Sequence, residues 1–279
     1  MRFRILTISA ALSLALPLLA QQQQQPSQQP PPQQQQAGPR PKTQKESDAL
    51  QKVLQAQQAQ NWDGEIQAIN YVLENFADTQ YKPLLLSMAV DAAQNKNDYA
   101  QTIAFGEQAI EADPNNITAR VVMAEDIAQH TRENDLDKET SLKKVDDYAN
   151  KALELGKSTT TPPAGMNPQT WPETQKLLMS QCYDALGQAA DLRKKYPEAI
   201  TNFKTAVDTD ANNTIALARL SKAYNDNKQY DDAIAAADKV LAMPNLQPAI
   251  KSYAQQEKTR ANTLKAAGAK TAPPPPPKQ

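Results

Sequence analysis

The chain is poor in the residues from which most active centres are built. Of its 279 residues, one is Cys, one is His and seven are Gly. A lone Cys closes no internal disulfide, so packing alone must hold the fold. A lone His with no Cys partner leaves no metal-ligand spacing. So few glycines argue against a nucleotide-cradling loop, and GxSxG, HExxH and CxxC are all missing. The formal charge is nearly balanced at −1. No basic stripe is present, which argues against nucleic acid and anionic membrane surfaces as partners. Neither catalysis, a metal nor a cofactor is expected. Aromatics make up only 5% of the chain, a composition suited to close helix–helix contact through Ala.

What is present is a period. Leu186, Gly187, Tyr196, Ala199, Phe203 and Ala206 stand 34 residues before Leu220, Ser221, Tyr230, Ala233, Ala237 and Val240. Tyr183, Leu186, Gly187 and Ala190 recur at three- and four-residue steps, one face of a helix. Gly187 lacks a Cβ, so a partner helix can come close there. Ala199, Phe203 and Ala206 alternate small, large and small, the pattern that interlocks antiparallel helices. Tyr196 and Tyr230 fall at the turns between helices, and Tyr224 completes the expected repeat core. A helix pair of this kind buries one side only and must stack on a neighbour.

The same register recurs upstream. Tyr99, Ile103, Ala109 and Ile110 precede a Pro-containing stop at Asp113-Pro114-Asn115, with a first helix expected near Pro83–Gln94. Trp62, Ile66, Ile69, Val72 and Leu73 fit a second helix of an earlier unit. Another unit spans Thr118–Leu155, with Met123, Ala124 and Ile127 inward on one helix and Val145, Ala149 and Ala152 on the other. The insertion TRENDLDKET separates those two helices. Its acidic residues Glu133, Asp135, Asp137 and Glu139 lack the Gly of a calcium loop and read as a solvated insertion. His130, just before it, is expected at a solvent-exposed helix end. The mostly polar segment Gln247–Ala267 reads as a terminal cap contacting the stack through Ile250, Tyr253 and Leu264.

On these residues the chain resembles the tetratricopeptide repeat family. The resemblance implies an all-α fold: a right-handed superhelical solenoid of about five antiparallel helix pairs with a C-terminal capping helix. It covers most of Lys45–Pro244. It also implies a non-catalytic scaffold that binds a protein or peptide partner in the groove lined by the first helices, as in exported bacterial-type members. Carried over residue by residue, that groove presents Ser87, Asp91 and Gln94, then Val121, Glu125 and Ala128. Gln181, Asp184, Gln188 and Asp191 follow, then Ala218, Lys222 and Asn225. Acidic and amide side chains stand where carboxylate-gripping members carry cations, so a neutral or basic partner is expected. The competing reading is a module for a small ligand, glycan or wall polymer. It calls for groove-facing aromatics, which these inner positions lack.

The ends carry different signals. Residues 1–20 open with Arg2 and Arg4, run apolar from Ile5 to Leu19 and close at Ala20, the order of a secretory signal peptide. A cleaved leader is favoured over an uncleaved anchor, because the run is shorter than the roughly 20 residues that span a bilayer. The mature chain is then periplasmic or extracellular, with no integral membrane segment. Losing Arg2 and Arg4 takes its formal charge from −1 to −3. Residues 21–44 form a Gln/Pro-rich linker with almost nothing apolar, expected to be disordered. Residues 268–279 form a Pro-rich tail of the same kind, so the solenoid is expected over 45–267. A loop at 156–172, containing Pro162-Pro163, Met166 and Trp171, is expected to interrupt it, with Trp171 packing on the next helix near Pro172. A bolder form of that expectation lays the loop over the groove as a lid. Cys182 reads as a small buried apolar residue. The sequons at Asn116 and Asn212 read as turn and capping residues.

Overall fold

The computed structural model describes residues 39–163 and 166–271, with side chains to residue 267. Every regular element among the described residues is an α-helix. The expected signal peptide, most of the Gln/Pro-rich linker and most of the Pro-rich tail lie outside them. The chain divides into two compact units. One holds residues 39–116 with 161–171, and the other holds 117–160 with 172–271.

The N-terminal unit is two helix pairs: α1 (Gln44–Gln58) with α2 (Trp62–Asn75), and α3 (Lys82–Asn95) with α4 (Tyr99–Ala112). Leu50, Val53, Ile69, Val72, Leu85 and Met88 close its main core. Leu86, Ala89, Val90 and Ala93 are fully buried, as their helical spacing predicts. Trp62 packs with Ile66, Ala92, Ala93 and Phe105.

The C-terminal unit is three pairs and a single last helix. The pairs are α5 (Ile117–His130) with α6 (Lys138–Ser158), α7 (Trp171–Leu192) with α8 (Tyr196–Thr209), and α9 (Thr214–Asp226) with α10 (Tyr230–Leu241). The last helix, α11 (Pro248–Thr271), packs on both α9 and α10. It therefore stands where the first helix of a sixth repeat would stand. Ile250, Ala254 and Ala261 are buried on it, while Tyr253 and Leu264 are half-buried. Five pairs and a cap among the described residues is the count that the period implied.

One backbone device repeats at four of the five intra-pair turns. Gln60, Asn97, Lys194 and Lys228 have φ of 52°, 58°, 61° and 62°. Each sits in the left-handed conformation that ends a helix, and the next amide reaches back to the departing helix: Asp98 N to Ala93 O at 3.0 Å, Lys195 N to Ala190 O at 2.9 Å. The α5–α6 turn departs from this because the insertion replaces it. Glu133 in that insertion pairs with Lys194 at 2.5 Å, and Glu139 with Arg193 at 3.0 Å. These acidic residues thus tie the insertion to the α7–α8 turn.

Three local expectations change. His130 is not solvent-exposed: its side chain is 15% accessible, with Nδ1 2.8 Å from the Asp126 carbonyl one turn back. The interruption before α7 is shorter than 156–172, because α6 runs to Ser158 and α7 starts at Trp171. Trp171 is itself the first residue of that helix and is buried. At the other end, the backbone of α11 continues to Thr271.

Candidate functional site

The repeat core positions the inner helices. Gly187, Ala199, Phe203, Ala206, Leu220 and Ala233 are buried, while Leu186, Tyr196, Tyr224 and Tyr230 are half-buried. A Cβ on Gly187 would lie 2.5 Å from Cδ1 and Cε1 of Phe203. α7 and α8 approach closely because that carbon is missing. Ser180 on α7 donates to the Ala206 carbonyl at 2.8 Å and accepts from Asn213 Nδ2 at 2.9 Å. Asn213 also caps α9 through the Ala216 amide, at 2.9 Å, so it is a joint between two successive first helices. In the N-terminal unit, Asn116 donates to Ser87 of α3 at 2.7 Å.

The inner residues Ser87, Asp91 and Gln94 are half-buried on α3. Asp91 faces Glu65 of α2, which is buried with its Oε2 lacking a donor among the described residues. Burial, reinforced by the Asp91 charge, pushes the Glu65 carboxyl up to about 7. Burial raises Asp91 to about 7 as well. An acid that holds its proton more tightly folded than unfolded loses stability as pH rises between the two pKa values. The N-terminal unit should therefore melt at higher temperature at pH 5 than at pH 7.5. In Glu65→Gln that slope should flatten, as followed by circular dichroism melts across pH.

The C-terminal unit converts most of the expected groove charges into internal pairs. Glu125, Asp184 and Asn225 are buried, with 2%, 3% and 2% accessibility. Arg219 on α9 reaches across to Asp184 on α7. Gln188 also donates to Asp184 at 3.3 Å, and Gln181 to Glu125 at 3.3 Å. Burial and the neighbouring Asp184 hold Glu125 well above the carboxylate range, against the pull of Arg219. Asn225 donates to Glu257 on α11 at 2.9 Å. Lys222 lies 2.7 Å from both Asp191 and Asp226. Burial draws its pKa down, but the two carboxylates outweigh this and raise it. Asp226 in turn accepts from Arg260 at 2.5 Å. Cys182 is buried on α7, its thiol pushed up by burial, and packs as a small apolar residue.

Between these pairs lies a cavity of about 290 Å³ with a mixed polar and apolar lining. It is lined by Ala128 and Gln129 on α5 and Thr131 just beyond it, by Gln188, Asp191 and Leu192 on α7, by Phe203 on α8, by Arg219 and Lys222 on α9, and by Tyr253 on α11. Of the expected groove residues, Ala128, Gln188, Asp191 and Lys222 line it. Arg219, Tyr253, Gln129 and Thr131 lie beyond the set that the sequence suggested. The signal for Tyr253 was available: it lies 34 residues after Arg219. Tyr253 also supplies an aromatic wall that the inner positions of the repeats themselves do not.

Antiparallel helix pairs in both units, with an unpaired helix closing the second, define a helical-repeat solenoid. Residues 192–266 match the tetratricopeptide repeat family. No curated protein matches the sequence. Among solved structures, it is similar to TTC0263, a thermophilic tetratricopeptide-repeat protein of Thermus thermophilus. That similarity has a TM-score of 0.54 at 13% identity over 76% of this chain and 98% of the other. It is also similar to MamA, with a TM-score of 0.41 at 16% identity over 71% of this chain and 99% of that one. Among the described residues, no helix is long and apolar enough to cross a membrane.

Proposed function

We propose that this chain is an exported, non-catalytic adaptor that engages a protein or peptide segment through the inner faces of its first helices. The observation that carries the reading is the C-terminal cavity, where three successive first helices and α11 converge hydrogen-bonding side chains on one opening. The carboxylate in its lining, Asp191, is already paired with Lys222, which favours a neutral partner over a basic one. Export rests on the leader-like order of residues 1–20, and a mature chain starting at Gln21 would establish it.

A photo-crosslinking amino acid at Gln129 or Gln188, set against one at the exposed Lys143 of α6, tests the adaptor in its native cell envelope. Protein adducts from the two cavity positions and none from Lys143 are expected. Adducts from all three positions alike, or none, would count against an inner-face adaptor. The second reading, a small polar ligand or glycan, is supported by the cavity volume and by the rings of Tyr253 and Phe203 in its lining. Cavity positions silent toward protein, with a small molecule co-purifying, would favour it.

A further inference from the structure

The last helix leaves one face without a neighbour. Gly187, Ser221 and Gln255 stand 34 residues apart on α7, α9 and α11. Gly187 faces Phe203 of α8, and Ser221 donates to the Ala233 carbonyl of α10 at 2.8 Å. At Gln255 no second helix follows among the described residues. Gln255, Gln256, Thr259, Arg260, Thr263 and Leu264 instead line an open, mainly apolar hollow of about 540 Å³. All of them except the half-buried Leu264 are exposed. Lys258, Arg260 and Lys265 are already paired with Asp238, Asp226 and Asp231. Lys251, one turn before Gln255, is exposed and has no carboxylate partner among the described residues.

The insertion between α5 and α6 carries the complementary shape and charge. Leu136 within it is wholly exposed, more so than Tyr71 or Tyr99. The backbone around it is held. The Arg132 amide donates to Asp135 Oδ2 at 2.7 Å and the Lys138 amide to the Asp135 carbonyl at 3.2 Å, besides the ties to Lys194 and Arg193. A braced loop has little freedom left to lose on docking. Asp137, next to Leu136, is exposed, and its side chain caps no amide of α6. One exposed apolar side chain is ordinary on a protein surface. Here it is held rigid beside a free carboxylate, in a chain that also offers an apolar hollow beside a free ammonium.

We propose that the chain self-associates, the insertion of one copy seating Leu136 in the α11 hollow of a second copy, with Asp137 directed at Lys251. The contact joins two different patches, so every copy brings one half of each kind. Both halves belong to the C-terminal unit. Neither Leu136 nor the hollow lines the cavity, so this inference stands apart from the adaptor reading.

The test is sedimentation velocity over a concentration series, with the chain from Gln21 onward, which keeps every described residue. The natural chain should gain mass as its concentration rises. Leu136→Asp should weaken self-association by about tenfold or more, the scale of no longer burying a leucine. Gln255→Glu combined with Thr259→Glu sets carboxylates where the carboxylate of the insertion arrives, and should weaken it likewise. All three positions are exposed, so these substitutions leave the fold in place. The decisive arm mixes the two variants. Each retains the half that the other lacks, so the mixture should form one-to-one dimers that neither variant forms alone. A natural chain that stays monomeric throughout the series would overturn the proposal. So would self-association undiminished by Leu136→Asp, or a mixture that remains monomeric. Crosslinks from Gln129 and Gln188 to a partner protein alongside any of these failures would leave the adaptor standing and remove only this inference.

Discussion

Arg219→Met is expected to cost about 3–5 kcal/mol of the C-terminal unit's stability at neutral pH, the scale for removing one partner of a buried ion pair. Asp184 is 3% accessible, and Glu125, which faces it, is 2% accessible. Without the guanidinium, two buried carboxyls face one another with Gln181 and Gln188 as side-chain donors. Burial already raises Asp184 in the natural chain, with Arg219 and Gln188 pulling the other way. Removing Arg219 takes away the larger of these opposing pulls, so the folded state should bind its proton more tightly still.

The sign follows from linkage. A carboxyl with a raised folded pKa stabilises most below its unfolded pKa and loses that contribution as pH climbs toward the folded one. The deficit of Arg219→Met should therefore shrink on acidification. Urea unfolding at pH 4.5 and pH 7.5 reads this out. The double variant Asp184→Asn with Arg219→Met should recover part of the loss, since the uncompensated charge is gone. A pH-independent deficit that the second substitution does not relieve would mean that Arg219 acts through packing of its stem.

This pair also shows where sequence reading stops. Asp184 was legible as an inner-face residue because it shares a helical face with Gln181 and Gln188. Its partner was not, because Arg219 lies one full repeat and one residue further on. The spacing is periodic in the fold and invisible to any single-helix pattern. The contacts of α11 have the same origin: Asp226 with Arg260 and Asp231 with Lys265 are each 34 residues apart. Reading that polar segment as a terminal cap fixed its place in the stack. Reading it in the register of a sixth first helix would also have placed Tyr253 beside the cavity. His130 looked exposed because it ends a helix before a charged loop. The insertion instead returns against the α7–α8 turn through Glu133 and Glu139. The apolar period, by contrast, was legible for most positions, since burial at three- and four-residue steps is a local property, although Tyr99, read in that register, is exposed at 37% and Tyr183 and Leu186 are only half-buried.

Phe203→Ala should be the largest apolar loss in the C-terminal unit. Its ring is 1% accessible and heads the fully buried side chains by volume. Truncating a buried Phe to Ala costs about 3–5 kcal/mol, through lost transfer energy and the cavity left behind. Gly187→Ala attacks the same contact from the other side. In an exposed helix interior, Gly to Ala gains close to ~1 kcal/mol of helix propensity. Here the new methyl would meet an aromatic ring at 2.5 Å, and overpacking of this kind costs about 1–3 kcal/mol. The clash should win, so Gly187→Ala should destabilise where propensity alone predicts the reverse. A double-mutant cycle separates the two contributions. With Phe203 already Ala, the methyl at 187 has room to fill, and Gly187→Ala should then turn neutral or stabilising. A coupling of about 1 kcal/mol or more, in the range for directly contacting residues, would establish the Gly187–Phe203 contact as what sets the α7–α8 approach. If Gly187→Ala were instead as costly in the Phe203→Ala background as in the natural chain, the glycine would be required for some reason other than this contact.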